Sequence, residues 1–297
     1  MELSDKKFAV LIDADNISHR KIKDILDEIA NYGTPTIKRI YGDFTDPKFA
    51  AWKSVLLENS ITPIQQYAYT TGKNATDSAL IIDAMDILHK ESVNGFCIVS
   101  SDSDYTRLAS RIRESGREVL GFGEKKTPKP FIKSCDKFIY VEILGQPAPA
   151  PTTAVTPATA PAAKAAAPKK PAKKHQGRNA PETDMPEAAP AEPAAAEKKA
   201  APAPDTAQPQ PIIRPIDDDF KTLLANTIED AADDSGWAFL GIVGGVLTKK
   251  MPDFDPRNYG YKKLSLLVKS LSKIVEIEER PSENKELKLV YVRNRIR

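Results

Sequence analysis

Two short runs of aspartate could carry chemistry, because each directly follows an apolar stretch. The runs are Asp13 and Asp15 after residues 8–12, and Asp102 and Asp104 after residues 95–99. In an open α/β sheet, ligand-binding and catalytic residues lie at the carboxyl ends of the strands, so the two runs are expected to meet in one crevice. Carboxylates that stand together repel one another unless a cation neutralises them. Mg²⁺ and Mn²⁺ prefer such oxygen ligands, and the pattern therefore points to metal-assisted phosphate chemistry.

A third acidic element, which contains Asp77, lies at the start of a helix predicted over residues 75–90. Thr76 is expected to cap this helix, which places Asp77 in the first turn, where the helix dipole also favours an acid. At about 100° per residue, Asp77 shares the apolar stripe that faces the sheet, so it is a candidate metal ligand. Asp83 and Asp86 project from other faces. Asp86 is predicted to be a solvated acid, and a supporting role for Asp83 stays open.

The first run holds the strongest candidate ligand. Asp13 follows its strand directly and projects into the crevice, and Ser18 is a suitable cap for the next helix, so Asp13 is not needed as a cap. Asn16 and Asp15 each have two roles left open, either bonding within the acidic site or capping that helix. Asp104 opens a later helix, and capping is its alternative role.

Three further side chains are candidates for a role beside these runs. Ser101 could bind a phosphate oxygen or orient a carboxylate, and Lys73, in a predicted loop, could contact the scissile phosphate. A loop lysine is more commonly just solvated. His19 lies within a predicted helix and is interpreted as a solvated helix residue.

Strand and helix patterns alternate through the first domain, predicted at residues 1–145. Strands are predicted at 8–12, 36–41, 62–67, 95–99, 118–122 and 137–143, and helices at about 18–31, 47–58, 75–90, 104–115 and 129–134. This alternation favours a mostly parallel sheet covered on both faces, an α/β fold.

The composition changes abruptly after Gly145. Residues 146–211 contain no aromatic residue, leucine or isoleucine and are rich in Pro, Ala, Lys and Glu. Such a segment cannot bury enough apolar surface to fold, so a disordered, semi-rigid tether is predicted. Its lysines near 169–174 could add weak attraction to nucleic acid. No apolar run suits a membrane helix or a signal peptide, and the two cysteines form no zinc or disulfide pattern. Cytoplasmic residence is the simplest interpretation.

The last domain, predicted at residues 212–297, reads as three helices followed by a β-hairpin, a small winged-helix α+β pattern. Basic and aromatic residues alternate between 257 and 273, and no acid interrupts them. Basic side chains neutralise phosphates, and aromatic rings stack on unpaired nucleobases, so these positions are candidate RNA contacts. They are Arg257, Tyr259, Tyr261, Lys262, Lys263 and Lys269. A solvated basic face and core tyrosines are the alternatives left open.

Residues 8–125 resemble the NYN domain, a PIN-like ribonuclease fold. The resemblance rests on DADN (13–16), KNATD (73–77) with Asp83 downstream, and SDSDY (101–105). It implies a Mg²⁺- or Mn²⁺-dependent endoribonuclease. Its metal ligands would be Asp13, Asp77 and Asp102, and Asp104 and Asn16 would complete the catalytic set. The chain departs from the usual third motif at Ser101, where glycine is usual, and at Tyr105, where phenylalanine is usual.

Residues of roughly 230–295 resemble the OST-HTH or LOTUS module, a winged helix found with NYN domains. The resemblance rests on GWAFLGIVGGVL and DFDPRNYGYKKLSLLV. It implies RNA binding and, in some members, contact with a protein partner. Homodimerisation stays open.

The leading hypothesis is a ribonuclease whose tethered RNA-binding module raises the effective concentration of substrate at the catalytic domain. One alternative is a non-catalytic RNA-binding adaptor. Another is a phosphatase of the haloacid dehalogenase type, in which Asp13 would be a covalent nucleophile. The residue two positions after the second aspartate is Ile17, where that family usually has Thr or Val, which fits this alternative poorly.

Overall fold

The computed structural model describes residues 6–67, 75–145, 213–281 and 288–295. Lys73 and the predicted tether lie outside these residues, so the roles predicted for them stay predictions. Among the described helices, none is long and apolar enough to cross a membrane.

Six parallel strands form the sheet of the N-terminal part, as predicted. They are β1 (Lys7–Asp13), β2 (Thr34–Gly42), β3 (Thr62–Gln65), β4 (Gly95–Val99), β5 (Glu118–Gly123) and β6 (Lys137–Tyr140), in the spatial order β3-β2-β1-β4-β5-β6. The chain order reverses between β1 and β4, which are also the most buried strands. Such a switch point opens a crevice at the carboxyl ends of the two central strands.

Helices cover both faces of this sheet. They are α1 (Ile22–Ile29), α2 (Trp52–Glu58), α3 (Ala75–Lys90), α4 (Thr106–Glu114) and α5 (Lys129–Ser134). One apolar core lies under α1 and α2, and a second lies under α3, α4 and α5. Because both faces are buried, the central strands β1 and β4 are nearly continuous apolar runs. The parallel sheet with helices on both faces confirms the predicted α/β class.

Some predicted elements are too long. The strand predicted at 137–143 ends at Tyr140, the last residue paired with β5, and a 3₁₀ turn (Val141–Ile143) follows. The strand predicted at 62–67 ends at Gln65, where its pairing with β2 stops. Edge strands have one partner only, so their length follows the partner and not the apolar pattern.

The C-terminal part contains three helices and an antiparallel sheet, as predicted. The elements are α6 (Asp218–Ala231), β7 (Ala238–Phe239), α7 (Leu240–Lys250), α8 (Leu264–Ser270), β8 (Val275–Pro281) and β9 (Lys288–Asn294), and the sheet order is β7-β9-β8. The two-residue strand β7 was not predicted. The helix predicted at 258–272 is divided into a 3₁₀ turn and α8, because Gly260 adopts a left-handed conformation (φ 81°) that ends the turn.

The two folded parts form one compact unit, joined first by an ion-pair network. Arg257, from the C-terminal part, donates to both carboxylate oxygens of Glu28 on α1, at 2.8 and 3.0 Å, and also to Asp255 at 2.7 Å. Glu28 and Asp255 are buried. A guanidinium shared by two buried carboxylates is a charge-assisted, bidentate contact of the strong kind.

A second contact extends from the edge strand β6. The Phe138 N–H, which faces away from β5, donates to the Pro252 carbonyl at 2.9 Å. Nearby, the Tyr140 hydroxyl donates to Asp253 at 2.9 Å and accepts from Arg214 at 2.8 Å. The C-terminal part thus covers an edge of the sheet that would otherwise present unpaired backbone groups.

We expect Glu28→Gln to lower the free energy of unfolding by about 1–3 kcal/mol, because Arg257 loses a charged partner in a buried setting. Asp27→Asn removes the same charge from an exposed neighbour on α1 and is the matched control. Urea unfolding followed by tryptophan fluorescence measures the effect, since Trp52 and Trp237 report on one folded part each. Equal stability of the two variants would contradict an energetic role for the contact.

Candidate metal centre

The predicted acidic residues come together at the carboxyl edge of the sheet beside the switch point. Asp13 is the last residue of β1. Ser100 follows β4, and Asp102 caps the short 3₁₀ turn (Ser103–Tyr105) that leads into α4. Asp77 lies in the first turn of α3. Three chain segments therefore contribute acids to one crevice, as the strand-end argument predicted.

Three carboxylates form a compact trio. Asp77, Asp102 and Asp104 each offer one oxygen, and these oxygens lie within 4.8 Å of one another. Ligands on opposite sides of a Mg²⁺ ion are about 4 Å apart, so small adjustments would allow all three to bind one ion. The donors are hard oxygens without histidine or cysteine, a set that suits Mg²⁺ or Mn²⁺ better than zinc.

Asp13, the strongest candidate ligand from sequence, lies beside the trio and is not part of it. The side chain is 1% exposed. One oxygen accepts the Asp15 N–H at 3.0 Å, and the other accepts the Asn16 side-chain amide at 2.6 Å and the Ser100 hydroxyl at 2.8 Å. Burial raises the pKa of Asp13 to about 6, the hydrogen bonds oppose this shift, and the nearby Asp77 adds to it. Metal ligation by Asp13 stays a prediction.

The roles left open for the first run are now assigned. Asn16 bonds a carboxylate, and Ser18 provides the helix cap by accepting the Arg20 N–H. Asp15 pairs with Lys48 at 2.9 Å, which neutralises it at the rim of the crevice.

The second run is ordered by Ser100, which the sequence argument did not single out. Its hydroxyl donates to Asp13 and accepts the Asp102 N–H at 3.1 Å, so it joins the ends of the two central strands. Asp102, and not Asp104, performs the capping, because its carboxylate accepts the Asp104 N–H at 2.9 Å. The signal available in the sequence was a serine placed directly at a strand end, before two acids.

Tyr105 holds the Asp77 carboxylate in place. This side chain is fully buried, and its hydroxyl donates to Asp77 at 2.7 Å. Burial raises the pKa of Tyr105 and also that of Asp77, and the adjacent Asp102 and Asp104 raise the pKa of Asp77 further. The tyrosine at this position therefore supplies a hydrogen bond that the usual phenylalanine lacks.

Two other acids of α3 have partners away from the trio. Asp83 accepts hydrogen bonds from Arg39 and from the buried Tyr41. Asp86 pairs with Lys90 at 2.9 Å and is exposed, in agreement with the solvated acid expected there.

Several residues predicted to contact RNA have protein partners. Ser101 is buried and accepts the Glu124 N–H at 2.9 Å. Tyr259 packs in the C-terminal core, with its ring centre 4.8 Å from that of Phe220, which is the core alternative left open above. Arg257 is bound to Glu28, as described.

The remaining candidates lie on or near the surface of the C-terminal part. Lys269 pairs with Glu279 at 2.8 Å, and Tyr261 is partly buried against the core. Lys262 and Lys263 are exposed. RNA binding through these residues stays a prediction.

Comparisons with known proteins match both folded parts. The NYN domain family matches residues 7–142, and the OST-HTH/LOTUS domain family matches residues 211–287. No curated protein matches the chain. A crystal structure of a protein of unknown function from Vibrio parahaemolyticus is 20% identical, covering 47% of this chain and 96% of its own, with a TM-score of 0.40. A solution structure of an uncharacterised protein from Nitrosomonas europaea is 36% identical, covering 34% of this chain and 92% of its own, with a TM-score of 0.26.

The raised pKa of Asp13 predicts a stability change with pH in the absence of divalent ions. The folded pKa is about 6 and the ordinary value is 3.8. Between these values the folded state binds the proton more tightly, so the free energy of unfolding falls as pH rises, by about 3 kcal/mol in all. We expect Asp13→Asn to lose this part of the pH dependence, and hence to gain stability relative to wild type between pH 4 and pH 7.

The measurement is urea unfolding in EDTA, followed by tryptophan fluorescence, to which Trp52 of the N-terminal part contributes. Wild type, Asp13→Asn and the exposed control Asp86→Asn are compared. Parallel pH profiles for wild type and Asp13→Asn would show that the buried carboxylate carries no such cost.

Proposed function

Because the chain carries an NYN domain over residues 7–142 and an OST-HTH/LOTUS domain over residues 211–287, we propose that it is a metal-dependent endoribonuclease with its own RNA-binding module. The first domain belongs to a PIN-like nuclease superfamily, and the second implies RNA binding. The observation that carries the proposal is the trio of Asp77, Asp102 and Asp104 at the switch point of the sheet.

The trio would hold a Mg²⁺ or Mn²⁺ ion, which when bound supplies polarisation of a phosphoryl oxygen and a lower pKa for attacking water. Asp13, through Ser100, fixes the backbone that presents Asp102. Tyr105 orients Asp77 and is not itself a nucleophile, because its proton is donated to Asp77 and burial raises its pKa. No covalent intermediate on the protein is required.

The geometry argues against a covalent phosphatase. Such an enzyme would use the Asp13 carboxylate as its nucleophile. In this structure that carboxylate is buried, and both of its oxygens accept hydrogen bonds from within the fold. A nucleophile needs one oxygen directed at the substrate, and this arrangement favours a supporting role.

The first experiment is cleavage of single-stranded and structured RNA by the full chain with Mn²⁺, with Mg²⁺ and with EDTA. We expect cleavage with either ion and none with EDTA. Asp77→Asn and Asp102→Asn should each lower the rate about 100-fold or more, since each removes a charged ligand of the ion that would polarise the phosphate. Asp86→Asn removes an acid from the same helix as Asp77, outside the trio, and should cleave like wild type.

The adaptor alternative predicts a different pattern. If wild type bound RNA but cleaved none of the substrates with either ion, the nuclease proposal would be wrong, and the trio would hold a structural ion or none.

A second prediction concerns the hydrogen bond to Asp77. Tyr105→Phe should raise the Mn²⁺ concentration needed for half-maximal cleavage about tenfold, because partners that orient a metal ligand have effects of this size. Tyr41→Phe also removes a buried tyrosine–aspartate bond, but from Asp83, outside the trio, and is the matched control. The same Mn²⁺ dependence in wild type and Tyr105→Phe would contradict the positioning role.

A further inference from the structure

A cleft of about 970 Å³ lies between the two folded parts. One wall comes from the end of α4, the start of β5, and α5 with the start of β6. The other wall comes from α7. The basic residues that line it are Arg113, Arg117, Lys133, Lys137 and Lys249.

Positive charge predominates in this cleft. Five basic residues face three acids in the lining: Asp136 pairs with Arg113 of the same lining at 2.9 Å, and Glu118 pairs with Lys6, outside it, at 2.7 Å. Glu114 is the third. Lys133 and Lys249 are exposed, and they lie on opposite walls. A lining of this kind attracts a polyanion, because field lines concentrate between two low-dielectric walls.

The shape and chemistry of the lining favour a phosphate backbone over a nucleobase or a small apolar ligand. Among the described residues that line the cleft none is aromatic, so they provide no ring on which a nucleobase could stack. Gly116 and Gly245 line opposite walls, and a Cβ at either would meet no heavy atom within 4 Å. The cleft is therefore wide, and its backbone is accessible on both sides.

The contacts between the folded parts fix the separation of the two walls. Pro252, whose carbonyl accepts the Phe138 N–H, lines the cleft itself. The Arg257–Glu28 pair holds the C-terminal part to α1. The cleft exists only while these contacts do, so it belongs to neither domain alone.

We propose that this cleft binds the phosphodiester backbone of a single RNA strand, an inference that rests on RNA being the substrate as proposed above. Helix α4 begins beside Asp102 and Asp104 and ends at the cleft. Nine helical residues span about 14 Å, so a strand anchored in the cleft lies one short helix away from the metal centre. The acidic trio repels RNA, and a basic anchor at the other end of α4 supplies the attraction that the metal centre lacks.

The test is RNA binding by the full chain in EDTA, which prevents metal-dependent cleavage. Fluorescence anisotropy with labelled 20-nucleotide oligo(U) and oligo(A) is measured at several salt concentrations. The variants are Arg117→Gln on one wall, Lys249→Gln on the other, and the double variant. Lys53→Gln removes an exposed charge from α2, at the opposite edge of the sheet, and is the matched control. Thermal unfolding of each variant confirms that it is folded.

Each single variant should weaken binding roughly three- to tenfold for both oligonucleotides and lower the salt slope by about one, since each removes one phosphate contact. Lys53→Gln should bind like wild type. The proposal would be overturned if Lys249→Gln and Arg117→Gln bound RNA with wild-type affinity and wild-type salt dependence. It would also be overturned if RNA affinity fell only in a Lys262→Gln/Lys263→Gln variant. Polyglutamate binding that depends on both cleft bases, with RNA binding unchanged, would assign the cleft to an acidic protein segment instead. No RNA binding by wild type would overturn the proposed function as well.

Discussion

Mutual repulsion of carboxylates is the constraint on which this structure depends. Asp13 is buried at the end of the central strand, next to Asp77, where an ionised carboxyl is expensive. Hydrogen bonds from Asn16 and Ser100 offset that cost, and the same Ser100 hydroxyl fixes the backbone of Asp102. The burial of one acid thereby sets the position of others, and a bound cation would relieve the repulsion that remains.

The same constraint determines where RNA can be attracted. An acidic crevice repels a phosphate backbone, and two basic residues beside acids of this region, Lys48 and Arg39, are paired with Asp15 and Asp83. In the proposed function the attraction therefore comes from a surface separated from the acidic trio. If the acidic trio and the basic cleft act on one RNA, the distance between them must be fixed. The contacts of Arg257 and Tyr140 across the two folded parts hold the parts together.

Much of the fold and the acidic site followed from the sequence, because strand-end acids and alternating elements are local signals. The identity of the trio did not follow. Asp104, expected in a supporting role, lies in the trio, and Asp13, expected as a ligand, is buried beside it, because burial depends on contacts between distant segments; ligation by Asp13 stays a prediction. The hydroxyl of Tyr105 could not be assigned either, because its partner Asp77 is 28 positions away. Arg257 looked like a phosphate contact for the same reason: its partner Glu28 is 229 positions distant.

Docking bears on how an RNA-binding module would contribute to the proposed cleavage. A module on a free tether raises the local concentration of substrate but presents it in every orientation. A module held by a buried ion pair and a backbone hydrogen bond would present RNA in one orientation, which would remove part of the entropic cost of reaching the acidic trio. The Arg257 guanidinium is bound to the carboxylates of Glu28 and Asp255. In the proposed function this residue of the C-terminal part contributes by fixing geometry, and the basic residues of the cleft supply the charge.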